Sequence, residues 1–192
     1  MQRENQRVRI TKMLLNEGFL NLLKEKPLSR VTVKDICEAA ELNRSTYYHY
    51  FTDPYDQMSK LEIAIIEEMS SCINISKEDV LTGHGKLYPV IKKMLDYMQE
   101  KKNMFHILLS NHGDISLQKD IMTVFAEKVL NPTFNETKEY AELLQEFIFV
   151  GNGSFGLIYY WLMAGSNEST EQLARYITTF VEDFLHMRAN KR

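Results

Sequence analysis

Residues 31–58 read VTVKDICEAAELNRSTYYHYFTDPYDQM, and the punctuation of this stretch decides the fold. Thr32 stands where a helix N-cap belongs, Asp35 follows three residues on as its capping-box partner, and Val31 is spaced to pack on Ile36 as a hydrophobic staple. That helix ends near Ala40. Asn43 is placed to cap the next helix, with Leu42 and Tyr47 repeating the staple spacing. Asp53 caps a third, with Pro54 at the first helical position, where a missing N–H costs nothing. Its stripe of Met58, Leu61, Ile65, Met69 and Cys72 or Ile73 keeps helical spacing over several turns.

Upstream, a helix from about Arg7 to Glu25 carries Ile10, Met13, Leu14, Phe19, Leu22 and Leu23 as its apolar stripe, and Lys24, Lys26 and Pro27 close it. Two short helices joined by Ala40-Glu41-Leu42, with a longer helix in front to pack on, are the arithmetic of a helix-turn-helix module. Downstream, NISKEDVLTGHG (74–85) is polar with two glycines and marks a boundary. The expected organisation is a head at 1–52, a connecting fourth helix at 53–74 and a helical domain at 75–192. Five helices are expected in that domain: helix 5 (Lys86 to Lys101), helix 6 (Asn103 to Ser110), helix 7 (Ser116 to Val129), helix 8 (Lys138 to Met163) and helix 9 (Ser169 to Met187). Asn131-Pro132 breaks the chain between helices 7 and 8. In helix 9, Leu173, Ile177, Phe180, Phe184 and Leu185 are expected to face inward.

Composition supports an all-α fold: 44% of the 192 residues are hydrophobic, and eight glycines and four prolines supply few breakers. A net charge of −3 argues against a generic polyanion binder. Residues 1–60, however, carry 10 Lys and Arg against 8 Asp and Glu, and residues 61–192 carry 13 against 18, so only the N-terminal end suits nucleic acid. Cys37 and Cys72 fit no ligand or disulfide pattern and read as reduced thiols of a cytoplasmic protein. MQRENQRVRI has no apolar h-region. The apolar run Phe147–Ala164 has the length of a bilayer span but contains Asn152, Ser154 and three glycines, so no membrane association is expected.

Gly151-Asn-Gly153-Ser-Phe-Gly156 matches the dinucleotide fingerprint GxGxxG, yet Leu143, Leu144, Phe147, Gly151, Phe155, Ile158 and Leu162 form a helical stripe straight through it. The glycines therefore suggest close helix approach, not a phosphate loop. The five histidines show no HExxH or HxH spacing and no order that proposes a triad, so no metal, cofactor or enzymatic activity is expected. Tyr97, Met98, Phe105, Phe125, Phe147 and Trp161 first suggest core packing, but Met and aromatic residues also line pockets for small apolar ligands.

NRSTYYHYF (43–51) differs in kind. On a helix capped by Asn43, Tyr47 and Phe51 share one face, while Arg44, Ser45 and Thr46 occupy the first turn and Tyr48 and His49 point elsewhere. An exposed first turn of Arg and small hydroxyls suits a recognition helix reaching base edges, with Thr, Tyr and His donating to phosphates. Here the chain resembles the TetR family of bacterial transcriptional regulators, through Thr-Val-x-Asp-Ile, the Tyr-Tyr-x-Tyr-Phe run and the Asp-capped fourth helix. GSFGLIYYWLMAGSNESTEQLARYI (153–177) resembles a Firmicutes-type branch of that family that includes the regulator of the dihydroxyacetone kinase genes.

The resemblance implies a three-helix DNA-binding head and a helical domain that dimerises through its last two helices, here 8 and 9, and often holds a small effector. It implies base or groove contacts for Arg44, Ser45 and Tyr48, phosphate contacts for Thr46 and His49, and backbone or edge-base contacts for Thr32, Val33 and Lys34. A ligand-responsive repressor of a pseudo-palindromic double-stranded DNA operator is expected; the alternative is a coactivator or adaptor that needs a protein partner. Two departures stand out. Glu41 replaces the glycine usual in the turn, and no lysine occurs at 52–54, where the family has a phosphate clamp.

Overall fold

The computed structural model describes residues 6–74, 86–110, 115–130, 138–165 and 167–189. Among them are nine α-helices, one 3-10 turn and no strand: α1 (Gln6–Glu25), the turn Leu28–Arg30, α2 (Val33–Ala39), α3 (Arg44–Tyr48), α4 (Pro54–Cys72), α5 (Leu87–Glu100), α6 (Lys102–Ser110), α7 (Ile115–Leu130), α8 (Lys138–Ala164) and α9 (Thr170–Ala189). The all-α expectation holds. The polar boundary at 75–85 and the break at Asn131-Pro132 lie outside the described residues. The chain forms two compact units, Met1–Ile65 with Ile107–Gly113, and Ile66–His106 with Asp114–Arg192, and the division falls inside α4.

The core of the first unit gathers Leu15, Phe19 and Leu23 of α1, Ile36 and Cys37 of α2, Tyr47 of α3, and Val31, Ala40, Phe51 and Ile107. α1 approaches α2 at Gly18, where a Cβ would stand 3.1 Å from the Ala40 nitrogen and 3.2 Å from the Ala39 Cβ. This contact corrects the stripe expected for α1. With Gly18 against α2, the buried row becomes Leu15, Phe19 and Leu23, while Ile10, Met13 and Leu14 turn to solvent, because one residue is 100° of helix.

The capping box of α2 forms as spaced. Asp35 N–H donates to Thr32 Oγ1 (3.2 Å) and Thr32 N–H to Asp35 Oδ2 (3.1 Å). Lys26 Nζ also donates to Asp35 Oδ2 at 2.6 Å. That ammonium first, then Thr32, holds the Asp35 carboxyl down to about 2. After α2, Glu41 adopts φ +56°, the left-handed conformation, and Leu42 N–H donates to Cys37 O at 2.9 Å. This is a Schellman ending with Glu41 in the position that glycine usually fills. The conformation costs a Cβ-bearing residue about 1 kcal/mol.

Two local expectations are corrected at α3. Asn43 occupies the N-cap with extended backbone, but its side chain makes no cap hydrogen bond, and the helix is five residues long, not two turns. Packing of Tyr47 and Phe51, not a cap, fixes this segment. α4 starts as expected: Asp53 Oδ1 accepts from Tyr55 N–H (2.8 Å) and Asp56 N–H (2.9 Å). One turn in, the fully buried Gln57 donates through Nε2 to Leu15 O (3.1 Å) and Asn16 Oδ1 (3.0 Å), tying α4 to α1.

In the second unit, α5 buries Leu87, Val90, Ile91, Leu95 and Met98, and α9 contributes Leu173, Ala174 and Ile177 to the buried core. Thr170 Oγ1 donates to Asp96 Oδ1 at 2.7 Å, joining the start of α9 to α5, and Ser169 with Gln172 forms the capping box read from the sequence. α8 runs unbroken through its glycines. A Cβ on Gly151 would overlap the Met122 side chain of α7, so Gly151 does admit a neighbour; Gly153 and Gly156 face open space. Ile148, Phe149, Leu157, Tyr159 and Tyr160 of α8 and Tyr176 of α9 are exposed. Phe180, expected inward, is exposed too: Leu173 and Ile177 take the buried positions, and Phe180 shares the outer side with Tyr176, one turn away. Phe184 stacks on Phe149 with centroids 6.2 Å apart, and the Leu143 and Leu185 side chains lie outside the described residues. Leu144–Ala164 is long and apolar enough to cross a membrane by length and composition, and only 17% of that window is buried.

The Asp35 geometry sets a pH dependence. Its carboxyl titrates lower folded than unfolded, so its stabilisation is full above the unfolded value near pH 4 and is lost as pH falls through about 2. Asp35→Asn should lower the unfolding free energy by about 1 kcal/mol at pH 7. In urea titrations the gap to wild type should close between about pH 4 and pH 2.

Candidate nucleic-acid interface

The interface begins from the burial of one ring. Tyr47 is wholly inaccessible, with Phe51 at 5.5 Å between centroids and Tyr48 edge-on at 5.7 Å. Burial, assisted by the carboxylates of Asp53 and Asp56, pushes the Tyr47 phenol far up, and its hydroxyl has no hydrogen-bond partner among the described residues. Shape, then, and not a hydroxyl bond, seats this ring. With Tyr47 inward, helical geometry turns Ser45 and His49 to the opposite side and Tyr48 a quarter-turn away; these three and Arg44, the first residue of the helix, are exposed, Tyr48 at 59%. Thr46 is half-buried beside them.

At the start of α2, Thr32 and Lys34 are exposed, and Lys34 Nζ lies 3.7 Å from Glu38 Oε1. The Thr32 hydroxyl already accepts the Asp35 N–H, leaving its proton for another acceptor. Val33 differs from its neighbours: it is half-buried against the core. Arg44 makes no side-chain hydrogen bond or ion pair among the described residues, so its five N–H donors are available to a planar acceptor edge or a phosphate. Basic and hydroxyl side chains thus stand on the outer side of a helix whose inner side is anchored.

The sequence reading found no lysine at 52–54, and the structure shows what stands there. Lys60, nearly two turns into α4, donates to Tyr50 O (2.9 Å) and to Asp56 Oδ2 (2.9 Å), and its ammonium lies 5.6 Å from the centre of the Phe51 ring. Asp56 in turn accepts from Thr52 N–H at 2.8 Å. Lys60 first, then Thr52, holds the Asp56 carboxyl below the usual range. Lys60 therefore staples the chain just after α3 to α4. Its four-residue spacing from Asp56 was the available signal, and it reads as an ordinary helix pair until Tyr50 is folded beside it. Tyr55, in the first turn of α4, is 59% exposed.

The six candidate ligand residues are not gathered in one place. Met98 and Phe105 are fully buried, with Tyr97 edge-on to Phe105 at 5.8 Å and hydrogen-bonded to Glu68; burial and that carboxylate push its phenol up. Trp161 is buried and donates through Nε1 to Glu168 O at 2.9 Å. Phe125 and Phe147 lie 5.7 Å apart, and Phe147 alone of the six lines the cavity between α7 and α8. Among the described residues, no group of three His, Cys, Asp or Glu side chains is arranged to hold a metal.

A helix-turn-helix with an anchored inner side and a basic, hydroxyl-bearing outer side, carried at the end of an all-helical chain, defines a DNA-binding transcriptional regulator. Residues 19–53 match the N-terminal model of bacterial regulatory proteins of the tetR family, and residues 85–183 match a TetR-type transcriptional regulator C-terminal region. The chain belongs to the TetR family of transcriptional regulators. It is 20% identical over 178 residues to the HTH-type transcriptional regulator YxbF of Bacillus subtilis (strain 168), covering 87% of this chain but only 43% of that relative. Among solved structures it is similar to the dihydroxyacetone kinase operon activator DhaS, with a TM-score of 0.61 at 14% identity over 93% of this chain and 97% of the other. It is also similar to a TetR transcriptional regulator from Rhodococcus sp. RHA1, with a TM-score of 0.51 at 19% identity over 95% and 97% of the two chains. At these identities both neighbours speak to the fold alone.

The staple predicts that Lys60 acts as a positioning residue and not as a phosphate clamp. Lys60→Met should weaken operator binding roughly tenfold, about 1.4 kcal/mol, with the dependence of log affinity on log salt unchanged. A slope reduced by ~0.9 per chain would mean instead that Lys60 neutralises a phosphate.

Proposed function

We propose that the chain is a repressor that binds a pseudo-palindromic DNA operator as a homodimer and releases it in response to a small ligand, in the cytoplasm. The observation that carries this reading is the division of α3 into a buried Tyr47 side and an exposed side of Arg44, Ser45, Tyr48 and His49. In the proposed organisation, residues 1–52 are the DNA-binding head, 53–74 the connecting helix, and 75–192 the regulatory and dimerisation domain. Arg44, Ser45 and Tyr48 meet base edges, Thr46 and His49 meet phosphates, and Thr32 and Lys34 contact the backbone from the start of α2, with Val33 beside them.

The exposed aromatic and aliphatic residues of α8 and α9 support dimerisation through these two helices. Phe149, Tyr160, Tyr176 and Phe180 form an apolar surface that a second copy would bury. The same pairing accounts for an apolar α8 that its own unit leaves mostly open. Two heads related by a two-fold axis would read half-sites about 34–36 Å apart or a multiple of that spacing. Occupying the duplex obstructs transcription by itself, whereas activation requires a further contact, so repression is the simpler outcome of this geometry. The adaptor that needs a protein partner is not favoured by the regulators to which the chain is similar.

Selection of random duplexes by the purified protein at two salt concentrations tests the reading: an enriched two-fold site is expected, and no enriched site would contradict it. On the selected site, Arg44→Ala should weaken binding by ~1–3 kcal/mol while leaving the oligomeric state intact. Unchanged affinity would remove Arg44 from base recognition.

A further inference from the structure

The cavity between α7 and α8 measures 530 Å³, within the range of small-molecule sites. Its walls follow the two helices turn by turn: Gln118 and Asn152 at one end, Met122 and Ile148 in the middle, Ala126 and Leu144 at the other. Eight residues of helix separate the ends, so the cavity is roughly 12 Å long. Met122, Ala126, Leu144 and Phe147 are only half-buried along it, leaving apolar surface that an occupant would cover. Phe125 braces Phe147 at 5.7 Å, and the Met122 side chain is seated against Gly151, so two of these walls are held from behind.

The polar end has a direction. Gln118 Nε2 donates to Asn152 Oδ1 (3.1 Å), and Asn152 Nδ2 donates to Ile148 O (2.7 Å). These bonds spend the Asn152 amide on its own helix and leave Gln118 Oε1 as an acceptor with no partner among the described residues. The charged lining residues are Lys119 and Glu127, both exposed and of opposite sign, so no buried charge waits for a counter-ion.

From this geometry we propose that the α7/α8 cavity binds a neutral apolar molecule no longer than about 12 Å, whose single hydroxyl or N–H donates to Gln118 Oε1. The inference rests on the ligand-responsive reading above and gives it a site and a ligand class. Occupancy would bear on the turn of α8 that carries Ile148 and Asn152, which also carries the exposed Phe149 proposed for the dimer.

The test uses the full chain without DNA and two probes, 2-naphthol and naphthalene-2-sulfonate, followed by probe fluorescence. Wild type should bind one 2-naphthol per chain and the sulfonate at least tenfold more weakly. Gln118→Leu should weaken 2-naphthol at least fivefold, and Ala126→Phe, which fills the apolar end of the cavity, should weaken it at least tenfold, with helicity by circular dichroism unchanged in both. No saturable 2-naphthol binding, equal binding of the two probes, or equal affinity in wild type and Gln118→Leu would overturn the proposal. Operator affinity, measured separately with and without saturating 2-naphthol, keeps the two readings apart. A saturable site without any shift in operator affinity supports the site and ends the ligand-responsive reading.

Discussion

The burial of the Tyr47 ring is the constraint on which the DNA-facing half depends. α3 is too short to be stable alone and lacks a side-chain cap, so its orientation comes from what it packs against. Leu15 and Phe19 from α1 and Ile36 from α2 build the wall, and Gly18 allows α1 and α2 to close it. Once that ring is inside, helical geometry turns Ser45 and Tyr48 away from the core, and Arg44 stands exposed at the first position of the helix. The cost is a phenol hydroxyl left without a partner, together with the second buried orphan in this unit, Gln57 Oε1. Both sit in the first unit, where tight packing of large side chains outweighs two unmet hydrogen bonds.

Local punctuation made most of this legible. The Thr32–Asp35 box, the Asp53 cap and the Ser169–Gln172 box are pairs whose chemistry is complete within four residues, and each formed as spaced. The Glu41 departure was legible for the same reason, since a turn of that length demands a left-handed residue wherever glycine is absent. Apart from the Asn43 cap and the length of α3, what failed needed a partner at long range. Phe19 and Leu23 of the α1 stripe are buried as spaced, but its N-terminal part was misplaced because the choice between Leu14 and Leu15 is made by α2 at Gly18. The bond from Lys60 to Tyr50 O spans ten residues of chain and has no periodic trace.

The C-terminal half was less legible, for a physical reason. Apolar residues at helical spacing look alike whether they meet a core, a ligand or another copy of the chain. Met98 and Phe105 lie in the core, Phe147 lines a cavity, and Phe149 and Phe180 are exposed, yet nothing in their spacing separates the three fates. The glycines of α8 divide similarly: Gly151 takes the Met122 side chain, while Gly153 and Gly156 leave an open strip beside the exposed rings. Of the GxGxxG string only Gly151 thus serves helix packing, by receiving the Met122 side chain that reaches across from α7.

The anchoring role of Tyr47 against the contacting role of Tyr48 is tested most directly by replacing each with alanine and measuring both urea unfolding and operator affinity. Tyr47→Ala should cost about 3–5 kcal/mol of stability, as emptying a large buried site does. Tyr48→Ala should change stability by less than about 0.5 kcal/mol and still weaken operator binding. A Tyr48→Ala protein that loses stability like Tyr47→Ala, or that binds the operator as wild type does, would contradict the division of the recognition helix described above.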